Sequence, residues 1–419
     1  MELITLPNSL RIFLNKTDTL RSATVGIWIA SGSRFEEEKN SGISHFIEHI
    51  VFKGSEKRSG FEIAEGMDEI GAYVNAYTTK EYTFFYTKAL DYQILKAADI
   101  LFDMIRNPRL FEEDIETEKG VITEEIAMCE DDPADVCSEL NERRIFEGTT
   151  LQMDILGTRE TVSSFKADDF KEYMKKHYVP ERIVIGVNGN FEKEEMLRKI
   201  EEYFGSLKST GNPVSGYEVP FRRVMTLKKM DTEQTHITLS FKGIPIEHED
   251  LYTLQVCMFI LGTGTSSMLN QRIREQLGLV YSIDSWLARY LGGGYITVSM
   301  SLGAQSEEMA LTETLEIIKS FSSSVSERQV EIAKEKLISS LIMSREQPQS
   351  KLSAMGYSLL FTDRFAEDDE IIQKIKKVTL SDVKIAADKY LKLSEMSFTA
   401  VGRVKTEDEY KRILGKVKR

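Results

Sequence analysis

At 419 residues the chain exceeds one ordinary hydrophobic core, and its 41% hydrophobic and 29% charged content, with 8 prolines, excludes a disordered or fibrous protein. Its 54 basic against 67 acidic side chains leave a net charge of −13. That excludes the basic stripe of a nucleic-acid binder and suits either plain solubility or an acidic inner surface that draws basic peptides. The three cysteines, Cys129, Cys137 and Cys257, show no C-x-x-C spacing and read as reduced thiols. Met1–Thr5 lacks a signal-like region and no 18-residue apolar run occurs, so the expectation is a cytoplasmic protein that neither spans nor binds a membrane.

Along the chain, Ala23, Val25, Ile27 and Ile29 alternate as one face of a strand. His45-Phe46-Ile47-Glu48-His49 has helical spacing, and the β-rich run Val74–Thr79 follows Gly71. Ile115–Met128 reads as a helix carrying Glu118, Glu124 and Glu125. The turn formers Gly211, Pro213, Gly216 and Pro220 mark a seam over Ser206–Arg222. Two further strands carry Ile237, Leu239 and Phe241, then Ile296, Val298, Met300 and Leu302. Between Tyr290 and Tyr295, Gly292-Gly293-Gly294 lacks the Lys-Ser/Thr of a phosphate cradle and precedes a strand, so a hairpin is expected. His177, His236 and His248 are isolated and read as structural or surface residues.

The two halves resemble each other. The helix-then-strand segment from Asp168, ending in Ile183–Val187, recurs from Ser381, ending in Ser397–Gly402, 213 residues on (381 − 168). Arg109-Leu-Phe-Glu-Glu-Asp-Ile-Glu recurs from Ser324 at a separation of 215 (324 − 109), with Ser326 and Gln329 as a capping box. Half-buried strands separated by Glu/Lys-rich helices give an α+β class, repeated twice. Each unit is expected to be a mainly antiparallel sheet covered on one face by helices. The expected boundaries are an N-terminal domain 1–209, a linker 210–222 and a C-terminal domain 223–419.

Four residues apart on a helix, His45 and His49 project from one face and can grip one divalent ion. Glu48 stands on nearly the same face and can reach a water there without being a ligand; this is the inverted H-x-x-E-H order. A catalytic zinc needs a third protein ligand and one open position. Glu118 and Glu125, seven apart, share a helix face from which Glu124 diverges by about 100°. Spacing alone leaves open which of the pair is the ligand and which the supporting carboxylate. Two surface histidines and a glutamate that bind nothing are the plain alternative.

His45-Phe46-Ile47-Glu48-His49-Ile50-Val51-Phe52-Lys53-Gly54, with Val121-Ile122-Thr123-Glu124-Glu125-Ile126 downstream, resembles the signature of the pitrilysin family of inverted-motif zinc peptidases, closest to bacterial processing-peptidase-like members. The interval from His49 to Glu125 is 76 residues (125 − 49), the family's own spacing. The resemblance covers both halves and implies a zinc endopeptidase with one Zn2+ per chain. It assigns His45, His49 and Glu125 as ligands, Glu48 as general base and Glu118 as the supporting carboxylate. It also implies that the segment with Asn75, Ala76 and Tyr77 is an edge strand that pairs with an extended substrate; without it, Asn75 reads equally as a turn cap. Arg274-Glu-Gln-Leu-Gly-Leu-Val-Tyr281 is similar to the family's arginine–tyrosine element, which serves substrate backbone and oxyanion; read alone, Arg274 is a solvated helix charge. Ser266-Ser267-Met268-Leu269 departs from relatives with arginine at the third position, which leaves subsite charge open. The second half has no H-x-x-E-H, and the 215 offset places Ala333 and Ser340 where Glu118 and Glu125 stand. The implied form is a clamshell half that encloses peptides or unfolded segments in a chamber and pairs as a homodimer, a heterodimer being the alternative. A rival reading is a non-catalytic core subunit of a related complex.

Overall fold

A computed structural model describes residues 1–214 and 216–418 of the chain. Ser215, within the expected linker, and Arg419, the end of the expected second domain, lie outside the described residues. The first sheet has six strands in the order β1-β2-β6-β3-β5-β4: β1 Glu2–Thr5, β2 Arg11–Lys16, β3 Ser22–Ile29, β4 Tyr73–Thr78, β5 Thr83–Leu90 and β6 Ile183–Gly189. The second has five in the order β7-β11-β8-β10-β9: β7 Met225–Lys229, β8 Gln234–Lys242, β9 Ser282–Tyr290, β10 Gly293–Gly303 and β11 Ser397–Gly402. Every neighbouring pair is antiparallel except β2–β6 and β7–β11.

The two sheets follow one plan. Matching β2, β6, β3, β5 and β4 with β7, β11, β8, β10 and β9 preserves both order and direction, with β1 an addition to the first. The helices agree as well: Glu112–Asp131 and Glu327–Glu346 are each 20 residues long and start 215 apart (327 − 112). Both sheets are therefore α+β layers, as the alternating patterns require.

The period-two runs go where they should. Ala23, Val25, Ile27 and Ile29 face a core with Phe46, Ile47, Ile50, Leu101 and Ile122. Ile237, Leu239 and Phe241 join Ile296, Val298, Met300 and Leu302 in the second core. The three glycines turn the β9–β10 hairpin, with Gly292 at φ 79° and Gly293 paired to Tyr290. Residues 207–224 form neither helix nor strand wherever they are described. None of the three cysteines is in a disulfide.

The expected single cut at 210–222 needs correction. One compact unit comprises Met1–Ala127, Met153–Ser215 and Met343–Phe365; the other comprises Met128–Gln152, Gly216–Ile342 and Ala366–Arg419. Each half of the chain thus lends a helix to the other's unit. Helix Pro348–Thr362 packs on β3 and β6, where Leu352, Met355, Leu359 and Leu360 cover Phe13, Trp28, Phe84 and Val184. Helix Pro133–Ile145 packs on β8 and β11, where the Asn141 side-chain oxygen accepts from Ser240 Oγ at 3.0 Å and Thr399 Oγ1 at 3.3 Å. The second face of each sheet is therefore partly covered too, where one covered face was expected. Both loaned helices begin with proline at the first helical position, where its missing N–H costs nothing.

Candidate metal centre

The short helix Ile43–Ile50 is fixed by its apolar face. Ile43, Phe46, Ile47 and Ile50 are buried, and Phe46 packs on Phe170 and Phe165 with ring centroids 4.8 and 5.8 Å apart. The other face carries His45, Glu48 and His49. Helix Glu112–Asp131 supplies the carboxylates: Ile115, Ile122 and Ile126 bury one stripe, and Glu118 shares it. Its acidic first turn, Glu112 to Asp114, suits the positive end of the helix dipole. Glu124 is exposed, as its angular offset predicts.

Nε2 of His45 and Nε2 of His49 each stand 3.7 Å from an oxygen of Glu125, and the two imidazole centroids are 4.6 Å apart. One donor atom from each residue lies within 4.8 Å of the other two. A tetrahedral zinc with donors at about 2.0–2.1 Å holds them roughly 3.3 Å apart, and the two nitrogen-to-oxygen separations of 3.7 Å lie a few tenths of an ångström beyond that. The charges fit as well. Burial, then the neighbouring His49, pushes His45 down to about 3, so its ring is neutral and free to donate a lone pair. Burial would lower His49, but its hydrogen bond to Glu118 and the charges of Glu118, Glu125 and Glu48 raise it overall. Three carboxylates around two imidazoles offer a cation surplus negative charge.

The structure separates the two candidate glutamates. Glu118 Oε1 is 2.8 Å from His49 Nδ1, the nitrogen turned away from Glu125, and Glu118 Oε2 is 2.6 Å from Lys53 Nζ. Burial works to raise Glu118, yet His49 and Lys53 hold it below the usual carboxylate value. A carboxylate on the far ring nitrogen fixes tautomer and orientation, which is a supporting role. Glu48 is half-buried, and its Oε2 accepts from Thr78 Oγ1 at 2.6 Å. Burial first, with the Thr78 bond opposing, raises its carboxyl above the ordinary value.

Thr78 ends β4, the edge of the first sheet. The N–H of Ala76 donates to its neighbour's Asn75 Oδ1 at 2.8 Å, while Thr79 N–H bonds back to Tyr82 O at 2.8 Å. By the alternation of an antiparallel ladder, Val74, Ala76 and Thr78 turn their backbone groups to the open side. Tyr73 and Tyr77 are partly exposed, and Asn75 Nδ2 donates to Tyr73 Oη at 3.0 Å. In the second unit, Arg274 lies half-exposed in a π-helical turn, Asn270–Gln276, where an ordinary helix was expected. Tyr281 precedes β9 with 74% of its surface exposed and donates its N–H to Ser301 O at 2.9 Å. Ala333 is buried on the helix matching Glu112–Asp131, so no carboxylate stands there.

Residues 11–159 match the family model of insulinase, peptidase family M16, and residues 164–337 match the model of the peptidase M16 inactive domain. The chain is 39% identical over 383 residues to the uncharacterized zinc protease YmxG of Bacillus subtilis, covering 90% of this chain and 93% of that one. It is 32% identical over 397 residues to the uncharacterized zinc protease ML0855 of Mycobacterium leprae, covering 92% and 88%. The chain belongs to peptidase family M16. As an M16 protein it shares its fold with an M16 inactive-domain structure from Pseudomonas fluorescens (TM-score 0.89, 16% identity, 97% of this chain and 98% of that one). It also matches a protease from Helicobacter pylori (0.88, 17%, 96% and 99%) and a chain of complex III2 from Candida albicans (0.85, 19%, 99% and 99%). Among the described residues no helix is long and apolar enough to cross a membrane.

The isolated histidines include one with a measurable consequence. His177 is buried, accepts at Nδ1 from Arg182 Nη1 at 2.9 Å and stacks on Tyr173 at 4.2 Å. Burial, then the charges of Arg182 and Lys176, pushes it down to about 3. A depressed folded value means that between about 3 and 6.5 the unfolded chain takes up the proton and the folded chain does not. This contribution to stability is complete above pH 6.5 and is lost as pH falls, by at most about 1.4 kcal/mol per pH unit. His177→Gln is expected to remove that slope between pH 6.5 and 5 in urea titrations; an unchanged slope counts against the assignment.

Proposed function

We propose that this M16 chain is a zinc-dependent endopeptidase, with one Zn2+ held by His45, His49 and Glu125 and Glu48 as general base. The strongest support is that two separate helices bring three metal-type donors to one point, with Glu48 tethered beside it to the end of an open edge strand. When bound, zinc would supply Lewis acidity, polarising a peptide carbonyl and easing deprotonation of water near neutral pH. The remaining work falls to side chains of the protein. An extended peptide pairs with β4 through Val74, Ala76 and Thr78, with Ala76 N–H leaving Asn75 to meet a substrate carbonyl; main-chain pairing of this kind tolerates many side chains. Glu48 takes the proton of the attacking water and returns it to the amide nitrogen as the C–N bond breaks. Its raised carboxyl suits both halves of that transfer. Glu118, braced by Lys53, keeps His49 oriented throughout. Arg274 would hold substrate backbone, and the Tyr281 phenol would stabilise the developing oxyanion.

Substrates would be peptides or unfolded segments enclosed in a chamber, with the chain working as a cytoplasmic homodimer. The rival, a non-catalytic core subunit, gains only a shared fold from the complex III chain; the intact His45–Glu48–His49–Glu125 set weighs against it. A peptide library should be cleaved, the cleavage stopped by a chelator and restored by zinc. Cleavage that continues in metal-stripped protein would rule this mechanism out.

A further inference from the structure

The helix that bears both histidines starts at Gly42, which lies at φ 91° and brings no side chain to cap the first turn. None would fit: a Cβ there would stand 2.5 Å from Leu156 O and 2.9 Å from Gly157 Cα. The first-turn amides still require acceptors, and a helix of 8 residues has little to hold it if they fray.

The acceptor comes from six residues upstream. Glu36, at the end of the 3-10 turn Ser33–Phe35, accepts from Gly42 N–H at 2.7 Å through Oε2 and from Ser44 N–H at 2.9 Å through Oε1. It is 5% exposed, whereas its neighbours Glu37 and Glu38 are exposed. Behind it, the hydroxyls of Ser44 and Tyr173 are 2.9 Å apart, and Ser31 Oγ lies 3.4 and 3.3 Å from them. All four side chains are buried. Both carboxyl oxygens thus meet N–H donors at the positive end of the helix, which oppose the burial that raises this carboxyl to about 7.

His45 follows Ser44 directly, and its Nδ1 has no hydrogen-bond partner among the described residues, in contrast to the Glu118-braced His49. The placement of His45 therefore depends on its backbone. We propose that Glu36 is a positioning residue, a remote cap that holds the start of the motif helix and so does for His45 through the main chain what Glu118 does for His49 through the ring. The inference rests on His45 being a metal ligand.

Glu36→Gln tests it, because the amide keeps one acceptor and turns its NH2 against the second backbone donor. Cobalt(II) serves as the probe, with affinity and d–d spectrum read by titration, and kcat and KM measured separately on a quenched peptide. The expected result is cobalt affinity weakened about ten-fold or more, an altered d–d band, and a lower kcat with KM within about two-fold of the parent. Wild-type affinity and spectrum with only a lowered melting temperature would overturn it, leaving Glu36 as fold support alone. Should Glu36→Gln not fold, Glu36→Asp keeps the charge on an arm that reaches one amide. Intermediate affinity then supports the proposal, and wild-type affinity refutes it. Affinity and spectrum need no hydrolysis, so a parent chain that binds cobalt but cleaves nothing would speak against the peptidase reading, not this one.

Discussion

Glu48→Gln is expected to fold, to bind zinc as the parent does, and to cleave a quenched peptide at least about a hundred-fold more slowly. The amide carbonyl can still accept from Thr78 Oγ1, which lies 2.6 Å from the carboxylate, so the side chain keeps its place. The Nε2 atoms of His45 and His49 and the oxygens of Glu125 are untouched, which preserves the metal set. Only the capacity to take a proton disappears. Metal analysis and turnover on one preparation separate the outcomes. Full turnover would remove Glu48 from the mechanism, and loss of zinc would make it a ligand instead of a base.

The largest effect on stability is expected at Gly356, on the loaned helix Pro348–Thr362. A Cβ there would stand 2.3 Å from the Trp28 ring, which is itself fully buried and stacked on Phe84 at 4.4 Å. The indole already lies close against Gly26, where a built Cβ would stand only 2.6 Å from it. Gly356→Leu should therefore lift the helix from the sheet and cost about 3 kcal/mol or more in urea unfolding. The control is Gly415→Ala, on helix Glu407–Lys418, where a Cβ meets nothing within 4 Å. That change should be neutral or stabilise by about 0.5–1 kcal/mol. Equal behaviour of the two variants would mean that the Trp28 contact does not hold the helix.

Much of this was legible in the residues because the signals are local. Alternation in Ala23–Ile29 and Ile296–Leu302 reports a buried sheet face, and the four-residue interval from His45 to His49 reports a shared helix face. The resemblance chose Glu125 over Glu118; the coordinates show the physical difference, one carboxylate facing both Nε2 atoms and the other on Nδ1. Non-local facts were hidden. Helices Pro133–Ile145 and Pro348–Thr362 carry no mark of which sheet they cover, and the same position of each packs through Asn141 in one and Gly356 in the other. The π-turn at Arg274 has no residue code of its own. Glu36 opens a Glu-Glu-Glu run that looks like solvated charge, and only the fold shows the first member buried.

The helix loan also governs when the protein can mature on the ribosome. All six strands of the first sheet exist once Gly189 is translated, but the segment that shields Trp28, Phe13 and Phe84 is complete only at Thr362, 173 residues later (362 − 189). At about 5–20 residues per second that is a delay of roughly 9–35 s. Throughout it the aromatic face of the first sheet lacks the helix that covers it in the folded chain.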